Sequence, residues 1–196
     1  MQEHGEELSV LARAQAFPLW VAWGTALHGW VLAVQARKAI GIAQMWEALA
    51  ACRTTGLELN RPWILALIAE AYAQTGQAEE GLAALVEALA LADKTTERWS
   101  AAELYRLKGE LLLVQASTRH RGEKVEGCFL EALSIARRQQ AKSLELRAAM
   151  SLSRLRQRQA KHQAAQQLLA EIYGWFTEGF DTPDLQEARA LLVALA

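Results

Sequence analysis

The 196-residue sequence has few of the residues that would direct it towards a strand-rich or nucleic-acid-binding protein. Only three prolines occur, Pro18, Pro62 and Pro183, and each stands where a helix could begin. Valine, isoleucine and threonine are few beside alanine and leucine, a balance that favours helix over strand. The formal net charge of −1 leaves no basic excess for binding nucleic acid or an anionic membrane.

Motifs for metal, nucleotide or catalytic chemistry are also missing. The only cysteines, Cys52 and Cys128, have no partners at metal-ligand spacing; they are interpreted as reduced core thiols, with a disulfide or redox pair as the alternative. No glycine-rich phosphate loop and no H-E-x-x-H run occurs, so we expect no cofactor, no metal and no enzymatic activity. The acidic start, Met1–Leu8, does not resemble a signal peptide, which favours a cytoplasmic protein.

One uncharged stretch imitates a membrane span. Pro18 to Val34 carries no formal charge, which is near the short limit of about 17 residues for crossing a bilayer. The stretch contains His28 and two glycines, which suit a buried helix of a helical stack better than a lipid-facing one. We therefore interpret it as a packed helix, with a transmembrane helix as the alternative.

What the sequence does contain is an internal repeat. Three segments share a small residue, then an aromatic residue or leucine three positions on, and later an Ala-Leu pair. The copies are Gly29 and Leu32 with Ala48-Leu49, Ala69 and Tyr72 with Ala88-Leu89, and Gly109 and Leu112 with Ala132-Leu133. A weaker fourth copy runs from Leu152 to Ile172. Two antiparallel helices approach closely only where a side chain is small, so the small residues should mark helix crossings.

The repeat predicts an all-α fold: a right-handed α-α superhelix of about four antiparallel helix hairpins and a C-terminal capping helix. Helices are expected at residues 3–16, 18–35, 38–55, 61–75, 78–93, 97–117, 123–138, 141–159, 162–177 and 183–195. As one repeat domain, 1–196, the chain would comprise an orphan helix of a preceding unit at 1–17, repeats at 18–56, 57–94, 95–140 and 141–179, and the cap at 182–196. The orphan helix suggests a piece of a longer polypeptide.

The second unit resembles a tetratricopeptide repeat, whose core reads W-x2-L-G-x2-Y followed by alanine, an aromatic residue, alanine and proline. The matching positions are Ile68, Ala69, Tyr72, Gly76, Gly81, Leu85 and Ala88. The usual unit has about 34 residues, and the longer spacing here leaves a HEAT or armadillo array open.

A more specific resemblance covers nearly the whole chain. The strings Glu97–Leu113, Ala132–Leu155 and Tyr173–Leu192 look like the C-terminal repeats of large bacterial signalling proteins. Those proteins join a class III nucleotide cyclase or another effector to a STAND-type ATPase and then to these repeats. The resemblance implies a non-catalytic scaffold or sensor for signal transduction, with a protein or peptide ligand such as an attached or separate ATPase or cyclase. Self-association as a homodimer is the alternative function.

A binding surface is expected where the first helix of each hairpin lines the concave side. The helical register places tryptophans towards one end of this surface and arginines towards the other. Its residues are Trp23, Trp30, Trp63, Glu70, Glu103, Arg106, Glu110, Arg147, Arg154 and Arg158. The alternative is that the tryptophans fill the core or pack against absent upstream repeats.

Two groups of charged residues are candidates for a catalytic or a binding site. Glu103 and Glu110 could form a general acid/base pair, but Arg106 lies between them, so a surface charge network on an exposed helix is the interpretation. The string Arg119–Lys124 is interpreted as a solvated loop, with a docking or nucleic-acid patch as the alternative.

Overall fold

A computed structural model describes residues 17–35, 37–56, 58–115 and 119–196, with the side chains of 119–121 excluded. The described residues form nine helices and no strand. The helices are α1 Pro18–Val34, α2 Lys38–Thr54, α3 Arg61–Thr75, α4 Ala78–Thr95, α5 Ala101–Val114, α6 Arg119–Arg138, α7 Lys142–Arg158, α8 His162–Tyr173 and α9 Pro183–Leu195. The predicted helix at 3–16 lies outside the described residues.

The chain divides into two compact units, residues 1–100 and 101–196. In the first, α1 packs on α2, α2 on α3, and α3 on α4. In the second, consecutive helices from α5 to α9 pack in the same way. Helices that pack on each other across turns of two or three residues form helix hairpins. The predicted all-α class, built from consecutively packed helices, is confirmed.

Four helix-to-helix turns close with the same hydrogen bond. In each, the N–H of the residue that precedes the next helix bonds to a carbonyl five positions back, near the end of the previous helix. The pairs are Arg37 to Leu32 at 3.0 Å, Gln77 to Tyr72 at 3.0 Å, Ala141 to Ala136 at 2.9 Å, and Lys161 to Arg156 at 2.9 Å. This is the Schellman closure, which satisfies carbonyls that a helix end leaves unpaired. We call these four turns the Schellman turns.

A left-handed residue is part of such a turn, and only one of the three that are described is glycine. Gly76 has φ +74°, while Gln140 and Ala160 have φ +55° and +60°. A β-carbon in the left-handed region costs on the order of 1–2 kcal/mol. Composition therefore identifies the turn at Gly76 and gives little indication of the other two.

Close helix approaches occur at the small residues that the repeat indicated. Gly29 of α1 is buried, and a Cβ added there would lie 2.7 Å from the carbonyl oxygen of Gly41 on α2. Gly109 of α5 is also buried, and a Cβ there would lie 2.7 Å from Cδ1 of the fully buried Phe129 on α6. The third predicted crossing residue, Ala69, is fully buried in α3. The predicted crossings at both glycines are confirmed, and Gly41 is a second small residue that the repeat pattern did not single out.

The last helix covers the core of the second unit. Its apolar stripe is buried against α7 and α8, as expected of the predicted capping helix. The stripe comprises Leu185, Ala188, Leu191 and Leu195, with Leu192 partly buried. Tyr173 and Phe176 pack against the same cluster, whereas Trp175 is 58% exposed. Trp175 therefore contributes little to the core that α9 covers.

Three predicted helix bounds differ from the structure by four residues, and the other differences are smaller. The helix expected from residue 97 begins at Ala101, because Thr96 is left-handed and the Glu97 carboxylate accepts hydrogen bonds instead. The helix expected to reach residue 177 ends at Tyr173. The string interpreted as a loop, Arg119–Lys124, is instead the first part of α6. That string has no apolar residue, so periodicity could not reveal a helix there.

The stretch that imitates a membrane span folds as α1, which packs against α2 and α3. Among the helices of the described ranges, none combines the length and the hydropathy needed to cross a membrane.

Candidate interaction surfaces

The first-unit members of the predicted surface are partly tied to one another. The indole Nε1–H of Trp30 donates to Oε2 of Glu70 at 2.9 Å, which joins α1 to α3. The Trp63 ring lies 5.2 Å from the ring of Trp99. The Trp23 ring meets Trp20 edge-on at 6.4 Å, and the buried Nε1 of Trp23 has no hydrogen-bond partner among the described atoms. Trp30 and Glu70 therefore form one contact, and Trp63 and Trp23 each pair with a tryptophan outside the predicted set.

The indole N–H groups of other tryptophans in the first unit also form hydrogen bonds within the protein. Trp46 of α2 directs its Nε1–H at the hydroxyl oxygen of Tyr72 on α3, 3.3 Å away. Trp99 donates to Oε1 of Glu97 at 2.8 Å, and Glu97 also accepts the backbone N–H of Asn60 at 3.0 Å. Asn60 is left-handed, with φ +63°, directly before α3. Glu97 thus fixes the approach to α3 and the indole of Trp99 at once, a role that the sequence pattern did not suggest.

Large apolar side chains of the first unit remain exposed, and one of them, Phe17, lines a groove. Phe17 is 54% exposed, Trp20 48% and Trp99 45%. The groove lies between the N-terminal half of α1 and the C-terminal half of α2 and has a volume of about 430 Å³. Phe17, Val21 and Ala51 contribute to its largely apolar lining, with Glu47 as the one carboxylate among the described residues that line it.

The second-unit members of the predicted surface form an ion-pair cluster. Arg106 donates hydrogen bonds from Nε and Nη2 to the two carboxylate oxygens of Glu103, at 2.8 and 2.7 Å. Arg147 of α7 lies 3.1 Å from the same carboxylate. Glu110 lies 3.7 Å from Arg106 and accepts the hydroxyl of Ser151 at 2.6 Å. These five residues, which we call the α5–α7 cluster, join two helices that are not consecutive.

The cluster is not on an exposed helix face, as the sequence had suggested. Glu103 is 3% exposed, and the side chain of Arg106 is 12% exposed. The charge network was predicted correctly, but the burial of Glu103 and Arg106 was not. Three charged residues one helical turn apart are typical of a helix face exposed to solvent. Burial makes the pairing obligatory, since an unpaired buried charge is strongly destabilising.

Glu103 is held in its ionised form. Burial alone would raise the pKa of this carboxyl, but the hydrogen bonds and charge of Arg106 and the charge of Arg147 outweigh that effect and lower it. A carboxylate with a lowered pKa and two guanidinium partners neither gives nor takes a proton near pH 7. The arrangement is suited to holding α5 against α7 rather than to acid/base chemistry.

The remaining predicted arginines lie apart from the cluster. Arg154 of α7 pairs with Glu187 of α9 at 2.5 Å, and Arg158 is exposed at the end of α7. Carboxylates thus offset the charge of both Arg147 and Arg154. The expected basic end of the surface is mostly neutralised.

An aromatic group between α8 and α9 was missed as a surface. We call Tyr173, Trp175, Phe176 and Phe180 the loop patch. Trp175 packs edge-on against Phe176 with ring centroids 5.2 Å apart, and Tyr173 lies 5.9 Å from Phe180. Trp175 and Phe180 are 58% and 47% exposed. Four aromatic residues within eight positions could have indicated a surface from the sequence.

Both cysteines are unpaired thiols, and Cys52 is fully buried, as predicted for a core thiol, while Cys128 is partly buried. Burial raises the pKa of each thiol, although Arg61 and Lys108 respectively act in the opposite direction. In the part of the chain that the structure describes, no three histidine, cysteine or acidic side chains converge to hold a metal ion.

No protein-family model matches the chain, and no curated protein matches it.

Proposed function

We propose that the chain is a non-catalytic repeat scaffold of the tetratricopeptide type, located in the cytoplasm, that binds a protein or peptide partner. The observation that carries the proposal is the exposure of large apolar side chains at positions that contacts within the first unit already fix. Trp20 and Phe17 are about half exposed on the first hairpin, whose two backbones touch at Gly29 and Gly41. Trp99 is similarly exposed with its indole bonded to Glu97.

Such side chains suit binding for two reasons. Tryptophan is enriched among the residues that dominate binding free energy. Aromatic groups on a preformed surface also lose little conformational freedom when a partner arrives, so more of the contact energy appears as affinity.

The partner class proposed is a signalling ATPase or nucleotide cyclase, attached or separate, whose activity the scaffold regulates. Support for this part comes from the resemblance of Glu97–Leu113, Ala132–Leu155 and Tyr173–Leu192 to the repeats of such bacterial proteins.

The test is a binding titration with purified STAND-type ATPase and class III cyclase domains from the source organism. Trp20→Ala and Trp99→Ala should each weaken binding by about 30-fold, the effect of a hot-spot residue of about 2 kcal/mol. Val86→Ala is the matched control, because Val86 is 63% exposed on α4 of the same unit. Failure of both effector domains to bind would contradict the partner class. Equal affinity of all variants would contradict the proposed surface.

Self-association is a second candidate function, and the groove between α1 and α2 favours it. An open apolar groove of about 430 Å³ can accept the apolar side chains of a second copy. Ala51→Glu should abolish any dimer, because Ala51 lines the groove. Ala50→Glu should leave a dimer intact, because Ala50 is also exposed but does not line the groove. Light scattering over a concentration series measures both variants, and a mass that stays monomeric in the unmodified chain would exclude this function.

A further inference from the structure

The loop between α8 and α9 holds its aromatic residues on a fixed backbone. At its start, Trp175 N–H bonds to the carbonyl of Ile172 at 3.3 Å, and Phe176 N–H bonds to that of Tyr173 at 3.1 Å. At its end, the Thr182 N–H and hydroxyl both donate to the Gly179 carbonyl, at 2.9 and 2.7 Å. Gly179 has φ +76°, a conformation that a side chain would strain. The aromatic rings are therefore exposed on a loop whose backbone is fixed by hydrogen bonds.

Each exposed ring of the loop patch rests on a partly buried one. Trp175 lies against Phe176, and Phe180 lies against Tyr173. Phe176 and Tyr173 in turn pack on the core that α9 covers. Trp175 and Phe180 thus contact partly buried rings and remain about half exposed, a geometry typical of a contact surface rather than of an incomplete core.

The charge around the loop patch is acidic. Residues 171–184 contain four carboxylates and no lysine, arginine or histidine. Glu171, Glu178 and Asp181 are exposed, and none of them forms an ion pair with another described residue. Asp184 lies in the first turn of α9, where a negative charge is stabilised by the helix dipole.

One cation already lies over the loop patch. The Lys142 ammonium lies 5.6 Å from the centroid of the Trp175 ring and 2.7 Å from Oε2 of Glu145. The indole face therefore accepts a cation in this setting. Glu145 also pairs with Arg137 at 2.9 Å, so these neighbouring basic side chains are already matched to a carboxylate, whereas the loop carboxylates are not.

We infer that the loop patch is a docking surface for a partner segment that carries arginines between apolar side chains. The apolar side chains would cover Phe180 and the free part of Trp175. Arginine guanidinium groups would stack on the rings and pair with Glu178 and Asp181, which planar, weakly hydrated guanidinium does better than ammonium. An anionic lipid surface is disfavoured, because the loop carboxylates would repel it. The inference rests on the proposed scaffold function and names a second surface and its ligand chemistry.

The test uses a fluorescein-labelled synthetic peptide of alternating arginine and leucine. Three control peptides are used. In two of them, each arginine is replaced by glutamate or by lysine, and in the third each leucine is replaced by serine. The peptide should shift the Trp175 indole resonance in a 15N-resolved spectrum and should bind in fluorescence anisotropy with an affinity that falls as salt rises. The lysine peptide should bind more weakly than the arginine peptide, and the glutamate and serine peptides should not bind.

Two variants locate the binding. Trp175→Ala, and separately the double change Glu178→Gln with Asp181→Asn, should each weaken the arginine-leucine peptide by about tenfold or more. All three side chains are exposed, so folding should be unaffected, as circular dichroism would verify. Val193→Ala is the control, because Val193 is 73% exposed on α9 and outside the loop patch.

Unchanged affinity in both variants would overturn the inference, as would equal binding of the glutamate peptide. Concentration-dependent dimerisation that Trp175→Ala abolishes would also overturn it, because a second copy would then be the occupant. The scaffold proposal fails separately, when Trp20→Ala and Trp99→Ala leave effector binding intact.

Discussion

Replacing Gly41 by alanine should force α1 and α2 apart, because the added methyl group meets backbone. A Cβ at Gly41 would lie 2.6 Å from the backbone nitrogen of Ala33 and closer still to the carbonyl oxygen of Gly29. Real Cβ contacts essentially never fall below 3.0 Å, so the contact with Ala33 alone requires a shift of 0.4 Å and the contact with Gly29 requires more. No side-chain rotation relieves a clash with backbone. Overpacking of this kind costs about 1–3 kcal/mol, which should exceed the roughly 0.5–1 kcal/mol that alanine gains over glycine in a helix.

The matched control is Gly127→Ala on α6, where an added Cβ has nothing within 4 Å. That variant should be more stable than the parent by roughly 0.5–1 kcal/mol from helix propensity alone. Comparing the two variants cancels the propensity gain and isolates the clash. Urea unfolding followed by circular dichroism at the helix band measures both, with tryptophan fluorescence as a second probe of two-state behaviour. A Gly41→Ala protein as stable as Gly127→Ala would refute the backbone contact.

Three further predictions concern other contacts. Glu103→Gln should destabilise the fold by about 3 kcal/mol at pH 7, while Glu110→Gln, which is one-third exposed, should cost much less. Because the folded-state pKa of Glu103 is lowered, its contribution is present above the unfolded pKa of about 4.3 and disappears as pH falls through the folded value, so the variant and parent should converge in acid unfolding. Ala160→Gly should raise stability by roughly 0.5–1 kcal/mol by relieving a positive φ, and Ala164→Gly within α8 should lower it by a similar amount, both in urea unfolding. A chain ending at Asp181 should unfold at lower temperature and associate in light scattering, and an unchanged melting temperature would show that α9 is not a lid.

The sequence predicts helices best where apolar spacing and a start or stop residue coincide. The bounds of α3 match the expected 61–75, because Pro62 and Gly76 mark its ends. The polar start of α6 was assigned to a loop because no apolar residue marks a face there. The start of α5 was expected at residue 97 but lies at Ala101, because the carboxylate of Glu97 bonds to Asn60, a partner distant in sequence that no local pattern reveals.

The predicted surface was limited in a similar way. Helical register placed Glu103, Arg106 and Glu110 on one face correctly, and the α5–α7 cluster contains all three. Register does not show what lies opposite a face, so the burial of Glu103 by α7 was missed. The same limit applies to Trp175, whose exposure in the structure no local sequence pattern reveals.

The Schellman turns also bear on how such a chain can evolve. In each turn, the next helix begins directly after the residue whose N–H makes the closing hydrogen bond. An inserted or deleted residue would therefore break that bond, which Arg37, Gln77, Ala141 and Lys161 donate. Changes in length should therefore accumulate in the other connections, such as residues 96–100, where no such closure exists among the described residues. In homologous chains we expect gaps to collect at those connections, and gene duplications to begin and end there, which would preserve hairpins as the units that are copied.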